Sequence, residues 1–349
     1  MQTLMILLKV YDWAGWNGLP LSKIPEVLET RRMQLVRKLV VRGKMTTELL
    51  QAVIKHQGLT VLDMDTSDLS SVETDTLVRA VVSMVDVELS GSWDMDTSLG
   101  KQQLEAILIG ITGEKSKLKK LNLSELDVSP VSPCLLANAV ILLEEICLWE
   151  SNLNKKQVEA LITSISSENL RLKKLDLQTN DLSSVEPGLL AKAVGRLSEV
   201  RLRDTQMNKH QIEKILISIC ERDSNLYNLD LTYVNLNSVE TDLLARSINL
   251  LEEAALGNEN SFADEMHLAK VQAEAILTQS LLQTSLKKLT IDCPKRLDEN
   301  LVAKAGQAIR ELACNTMVHT SDYVTTDTDG NDTESDIDID ASDSSQDEI

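Results

Sequence analysis

LKKLDL at Leu172–Leu177 is the phrase on which the reading of this chain turns. Its relatives are LKKLNL from Leu118, LEEICL from Leu143, LSEVRL from Leu197, LYNLDL from Leu226 and LEEAAL from Leu251. The steps between them are 25, 29, 25, 29 and 25 residues, so the sequence repeats itself every 54. VRKLVV from Val36, LTVLDM from Leu59, MVDVEL from Met84 and LKKLTI from Leu286 extend the series to about ten units. Self-similarity at a fixed period of roughly 20–50 residues marks a solenoid, in which each unit packs only on its neighbours.

Each unit reads as a strand followed by a helix. In LxxLxL the second and third leucines alternate with polar residues, the period of a half-buried strand. After LSEVRL, Ile212, Ile215, Leu216 and Ile219 form one apolar helical stripe, as do Val158, Leu161, Ile162 and Ile165 after LEEICL. Asn154 and Asn208 stand just before these helices with Gln157 and Gln211 following, the arrangement of a capping box. Pro187 falls in a first helical turn, where its missing N–H does no harm. Helices are wider than strands spaced about 4.8 Å apart, so stacking bends the array into an arc with the strands inside. Insertions at Asp94–Leu99 and Asn260–Met266 are expected to bulge from one rim.

The repeats occupy residues 36–315. Residues 1–35, with Trp13 and Trp16, fit no repeat and read either as an N-terminal capping segment or as the remnant of a preceding domain. Lys304–Leu312 reads as the last helix, and residues 316–349 as a disordered acidic tail. Between Thr320 and Ile349 there are eleven Asp or Glu and no Lys or Arg, out of a net charge of −19 for the chain. Neither the array nor the tail offers a basic face for phosphates, so nucleic-acid binding is not expected.

Aromatic residues make up 3% of the chain, with Phe262 the single Phe, so aliphatic side chains must build the core. No apolar stretch is long enough to span a bilayer, and no membrane association is expected. MQTLMILLKVYDW reaches Lys9 before any small-residue cleavage site, so the sequons at Asn122 and Asn331 read as chance matches. The abrupt apolar start is expected to be one end of something longer. Five cysteines, Cys134, Cys147, Cys220, Cys293 and Cys314, form no C-x-x-C pair and read as reduced, buried thiols. A reducing compartment follows, and a cytoplasmic location is expected.

L-x-x-L-x-L in units of this length, with helices between and two unit types alternating, is similar to leucine-rich repeats of the ribonuclease-inhibitor-like subclass. The resemblance covers about 280 of the 349 residues. It implies an α/β fold, a leucine-rich-repeat solenoid in the form of a right-handed β/α horseshoe of about ten strand–helix repeats. Phrases such as LSSVEPGLLAKAV resemble the C-terminal repeat arrays of NOD-like innate immune receptors. The family's Asn, three residues after the last strand leucine, is met only by Asn180. Ser67, Ser92, Ser151 and Thr205 offer a hydroxyl there, and Leu126 and Val234 nothing, so a looser turn ladder is expected. The nucleotide-binding domain of such receptors has no counterpart in this sequence. Gly110-Ile-Thr-Gly113-Glu-Lys115-Ser116 lacks the gap of a phosphate-binding loop and follows a helix.

No catalytic constellation is found in the sequence. His56, His210, His267 and His319 lie far apart, and His56 and His210 are expected to be solvated. Asp327-Thr-Asp329-Gly330 resembles the start of a calcium loop, but its Gly arrives too early. No metal, cofactor or enzymatic activity is therefore expected.

What remains is the inside of the arc, onto which the third, fifth, seventh and eighth positions of LxxLxLxx point. Trp149, Asp176, Arg201, Arg203, Asp230 and Tyr233 are the candidate protein-binding residues there, since Trp, Tyr and Arg dominate interface hot spots. Asp63, Asp65, Asp86 and Glu88 make one end acidic and favour a basic partner. The function expected is an intracellular protein-interaction module, of the kind that serves as sensor array in NOD-like receptors. The alternative comes from Ran GTPase-activating proteins, which also join such repeats to an acidic C-terminal region. Among strand-following arginines of the early repeats, only Arg42 speaks for it.

Overall fold

The computed structural model of the chain describes residues 36–65, 67–91, 99–167, 170–221, 224–257, 268–292, 297–312 and 318–319. Outside them lie residues 1–35, Ser92, Cys293, Cys314, the rim insertions apart from Leu99, and the tail apart from Val318–His319, including the calcium-loop-like stretch.

Eleven strands form one parallel sheet whose spatial order is the chain order. They are β1 Lys38–Val40, β2 Val61–Asp63, β3 Asp86–Glu88, β4 Lys120–Asn122, β5 Glu145–Cys147, β6 Lys174–Asp176, β7 Glu199–Arg201, β8 Asn228–Thr232, β9 Glu253–Gly257, β10 Lys288–Asp292 and β11 Val318–His319. The last lies just past the expected end of the repeats. Parallel neighbours need a crossover, and here each crossover is a helix. The helices are α1 Thr47–Lys55, α2 Thr74–Ser83, α3 Lys101–Ile111, α4 Pro133–Val140, α5 Lys155–Ile165, α6 Pro187–Arg196, α7 Lys209–Cys220, α8 Thr241–Ile248, α9 Lys270–Leu282 and α10 Glu299–Leu312.

The core is one continuous apolar layer between sheet and helices. Leu172, Leu175 and Leu177 are all buried, and so are the stripes Ile212, Ile215, Leu216, Ile219 and Val158, Leu161, Ile162, Ile165. Each such side chain contributes about 1.5–3 kcal/mol on leaving water. Gly110 lies in α3 against α2, where a Cβ would come within 2.6 Å of Val78 Cγ1 and 3.0 Å of Val82 Cγ1. Helix packing accounts for this Gly, and no phosphate is needed to explain it.

The buried polar groups reveal how units are locked in pairs. Gln157 and Gln211 cap their helices as the sequence suggests, the side-chain oxygen accepting from the N–H of Asn154 at 2.9 Å and of Asn208 at 2.8 Å. Each also does something the capping box does not require. Gln157 Nε2 donates to the carbonyls of Val128 at 2.7 Å and Val131 at 2.9 Å, both in the preceding unit. Gln211 does the same to Leu182 and Val185, Gln103 to Leu69 and Val72, and Gln272 to Leu236 and Val239. From the unit at Met84 onward, every second unit thus clamps the loop before it through a glutamine that water hardly reaches.

Asn180 also joins two units, donating to Leu148 O at 2.8 Å and accepting from Leu153 N–H at 3.3 Å. Ser67 reaches Val41 O at 3.0 Å, whereas Ser151 and Thr205 bond only within their own turns. Where Leu126 and Val234 replace the Asn they are buried instead. At these described turns backbone bonds carry the ladder without the side chain. Glu125 N–H bonds Trp149 O at 2.9 Å, and Tyr233 N–H bonds Gly257 O at 2.7 Å.

Two expectations are corrected. His56 is buried, its Nδ1 accepting from the N–H groups of Gly58 and Leu59, both at 3.1 Å, so it holds the turn after α1 instead of facing solvent. Of the described cysteines, Cys147 and Cys220 are half-buried and Cys134 is exposed; all three are free thiols.

Candidate functional site

The strands are in register, so equivalent positions form lanes across the sheet. The third-position lane is a ladder of alternating charge. Lys120 meets Glu145 at 2.9 Å and Lys174 meets Glu199 at 2.7 Å. A charge opposite its complement on the neighbouring strand is held in place and contributes little to anything else.

The fifth-position lane holds Cys147, Asp176, Arg201 and Asp230. Asp176 is 8% exposed and accepts from Gln178 N–H at 3.1 Å and Gln178 Nε2 at 2.9 Å, with Arg201 at 3.7 Å. Burial raises its carboxyl despite these partners. Arg201 turns also to Glu199 at 3.2 Å. Asp230 is tied to Thr232, accepting from its N–H at 2.9 Å and its hydroxyl at 2.7 Å. Burial, reinforced by the charge of Asp176, pushes the Cys147 thiol up to about 12. A thiol held protonated at neutral pH is no nucleophile.

The seventh and eighth positions carry the freer groups. Trp149 is 36% exposed, and the guanidinium of Arg203 lies 4.6 Å from the centre of the Tyr233 ring. Eighth positions turn the chain sharply out of the sheet. Glu125, Glu150, Thr179, Asp204 and Tyr233 all have φ between 53° and 62°. None of them is Gly or Asn, the usual occupants of that region. The left-handed turn aims each N–H at the seventh-position carbonyl of the next unit, as at Thr179 N–H to Arg203 O, 3.0 Å.

These lanes line an open concavity of about 880 Å³ that brings together Trp149, Asp176, Arg201, Arg203 and Tyr233. Asp230 borders the adjoining hollow with Arg201 and Arg203. The acidic end is partly neutralised, in a way the sequence did not reveal. Asp63 takes Lys38 at 3.1 Å and Arg42 at 2.6 Å, and Asp65 takes Arg42 at 3.4 Å. Burial pushes the Asp63 carboxyl up, but hydrogen bonds from Arg42 and Lys38 outweigh it and leave it below its ordinary value. Burial raises Asp86 and Glu88, with Asp63 adding to both. Among the described residues no cluster of His, Cys, Asp and Glu is arranged to hold a metal, and no helix is long and apolar enough to cross a membrane.

Among solved structures, the leucine-rich repeat-containing protein LegL7 from Legionella pneumophila is similar over 88% of this chain and 97% of its own, with a TM-score of 0.52 at 17% identity. The fold is a leucine-rich-repeat solenoid. At that identity the likeness is one of fold alone. The TLR13–ssRNA13 complex also aligns, over 77% of this chain and 41% of its own, with a TM-score of 0.41 at 14% identity. No family model and no curated protein matches the sequence.

Proposed function

We propose that this chain is a non-enzymatic protein-interaction array whose concave face binds a protein partner around Trp149, Arg203 and Tyr233. The observation that carries the reading is the exposed Trp149 beside the Arg203–Tyr233 pair, in one open concavity on a hydrogen-bonded sheet. Large aromatic and Arg side chains on a rigid support bind with little entropy lost to ordering. The resemblance of the repeats to ribonuclease-inhibitor-like and NOD-like-receptor arrays supports a cytoplasmic sensor array as the setting, and the free thiols agree with a reducing compartment.

The GTPase-activating alternative finds no support in the geometry around Arg42. Its guanidinium is engaged by Asp63 at 2.6 Å and Asp65 at 3.4 Å, which leaves it poorly placed to reach into another protein's active site.

The test is affinity capture with the whole chain beside a Trp149→Ala/Arg203→Ala/Tyr233→Ala variant, with thermal melts to confirm equal folding. A protein retained by the first and lost by the second supports the concave site. Equal recovery by both would overturn it.

A further inference from the structure

The lanes of the concave face differ in how far their charges are satisfied, and the difference has a direction. In the middle of the third-position lane the charges are paired across strands, as Lys120–Glu145 and Lys174–Glu199 are. Fifth-position acids are held by Arg42, Asn122, Arg201 or Thr232. At the seventh and eighth positions, Glu125 and Glu150 have no Lys or Arg within ion-pairing distance among the described residues. They sit on consecutive turns, close enough that Glu150, after burial and before Asp65, contributes to raising the Glu125 carboxyl. Trp149 lies beside them, its carbonyl accepting from Glu125 N–H at 2.9 Å and its indole exposed. The opposite imbalance occurs two strands away. Arg203 stacks on Tyr233 at 4.6 Å and has no carboxylate within ion-pairing distance among the described residues.

We propose that the concavity takes one extended segment of a protein partner that carries a basic side chain onto Trp149, Glu125 and Glu150 and an acidic side chain onto Arg203. This rests on the concave-face reading above and names the chemistry of its partner. A Lys or Arg over the indole gains the attraction of the ring face and two carboxylates. A carboxylate matches the fork of Arg203, which Tyr233 holds in place without neutralising it. Trp149 follows β5 and Arg203 follows β7, so about 10 Å separates the two subsites, or about three residues of extended chain. A doubly basic or doubly acidic segment meets one subsite of its own sign and is rejected there.

The experiment is selection from a displayed library of random peptides on the whole chain of 349 residues, with an inert protein as background. Peptides enriched on the wild type should carry one basic and one acidic residue about three positions apart, and bind about tenfold tighter than their like-charged counterparts. On an Arg203→Glu bait the preference should change to two bases, and on a Glu125→Lys/Glu150→Lys bait to two acids. Each bait's thermal melt is compared with wild type. Should a reversed variant fold poorly, Glu125→Gln/Glu150→Gln is used, and the preference for a base should weaken to what the Trp149 ring alone supplies. Enrichment that the Trp149/Arg203/Tyr233 alanine variant abolishes, but without the charge pair or its switches, overturns this inference and leaves the concave site standing. Enrichment that survives in the alanine variant overturns both. No enrichment above background overturns the inference as well.

Discussion

Replacing Gln157 by Met tests whether the glutamine clamps, and not the leucines alone, hold successive units together. The two side chains are alike in length, so the apolar packing around a fully buried position is nearly preserved. What is lost is the bond accepted from Asn154 N–H and the bonds donated to Val128 O and Val131 O, of 2.9, 2.7 and 2.9 Å. Val128 O keeps a donor, the N–H of Val131 at 3.0 Å. Val131 O and Asn154 N–H do not, and a buried group left without a partner costs about 1–3 kcal/mol. Asn154 is at the surface and recovers part of its loss from water, so the expected cost is about 3 kcal/mol. That is a large share of the roughly 5–15 kcal/mol by which a domain is stable.

The assay is urea unfolding followed by circular dichroism, with the exposed neighbour Lys156→Met as control. The Gln157→Met midpoint should fall, or the transition should split in two, because a solenoid's cohesion resides in contacts between neighbouring units. A loss below about 0.5 kcal/mol, equal to that of the control, would refute the argument and assign cohesion to the leucines. Gln157→Glu adds a second check. A carboxylate there would face two carbonyl oxygens, so its folded pKa must lie above the unfolded value. The variant is then closest to wild type below the unfolded pKa of about 4.3 and loses stability as pH rises through the folded one. The Met variant should show no such trend.

Other positions give smaller effects with definite signs. Asn180→Ala removes bonds to Leu148 O, Leu177 O and Leu153 N–H and should cost about 2–3 kcal/mol in a denaturant titration, whereas Ser151→Ala, losing only its bond to Leu148 O, should cost about 1 kcal/mol. Thr179→Asn should stabilise by about 0.5 kcal/mol in thermal melts, because a β-branched residue at φ 62° is strained and Asn tolerates that region. Glu88→Gln should stabilise at neutral pH. Burial, then the charges of Asp86 and Asp63, raises the Glu88 carboxyl against the bond from Asn122, so its ionisation opposes folding as pH rises through the raised value. Below the unfolded pKa both side chains are neutral and the difference should vanish in melts across pH.

The fold was legible because it rests on side chains whose spacing is the signal. Leu172, Leu175 and Leu177 announce the strand by alternation, and Ile212, Ile215, Leu216 and Ile219 announce the helix by its stripe. The capping role of Gln157 was legible too, since Asn154 precedes it at the right distance. Its second role was not, because Val128 and Val131 lie in another unit and their carbonyls leave no trace in a sequence. A signal did exist, in that Gln103, Gln157, Gln211 and Gln272 recur at the same place in every second unit from Met84 onward. His56 was misread because a lone His on a helix end gives no hint that backbone N–H groups will converge on its Nδ1. The left-handed turns were invisible for a different reason. Glu125, Glu150, Thr179 and Tyr233 are not residues that prefer positive φ; the ladder to the next unit imposes it.

That imposition bears on where a binding site can arise. The leucine positions are taken by the core, and the third position in the middle of the sheet by cross-strand charge pairs such as Lys174–Glu199. The fifth position is half-buried among its neighbours, so that a carboxyl such as Asp176 is spent on Gln178 and Arg201. At the seventh position and the turn after it the ladder fixes the backbone, and Trp149, Arg203, Glu125 and Glu150 are not engaged by charge pairs of the scaffold among the described residues. Trp149, Gln178 and Arg203 occupy consecutive seventh positions, and Glu125, Glu150 and Tyr233 flank them on the turns. A search for partners should vary Trp149, Arg203, Tyr233, Glu125 and Glu150 first and leave Gln178, which holds Asp176, and the third and fifth lanes intact, because changes there alter stability and binding together.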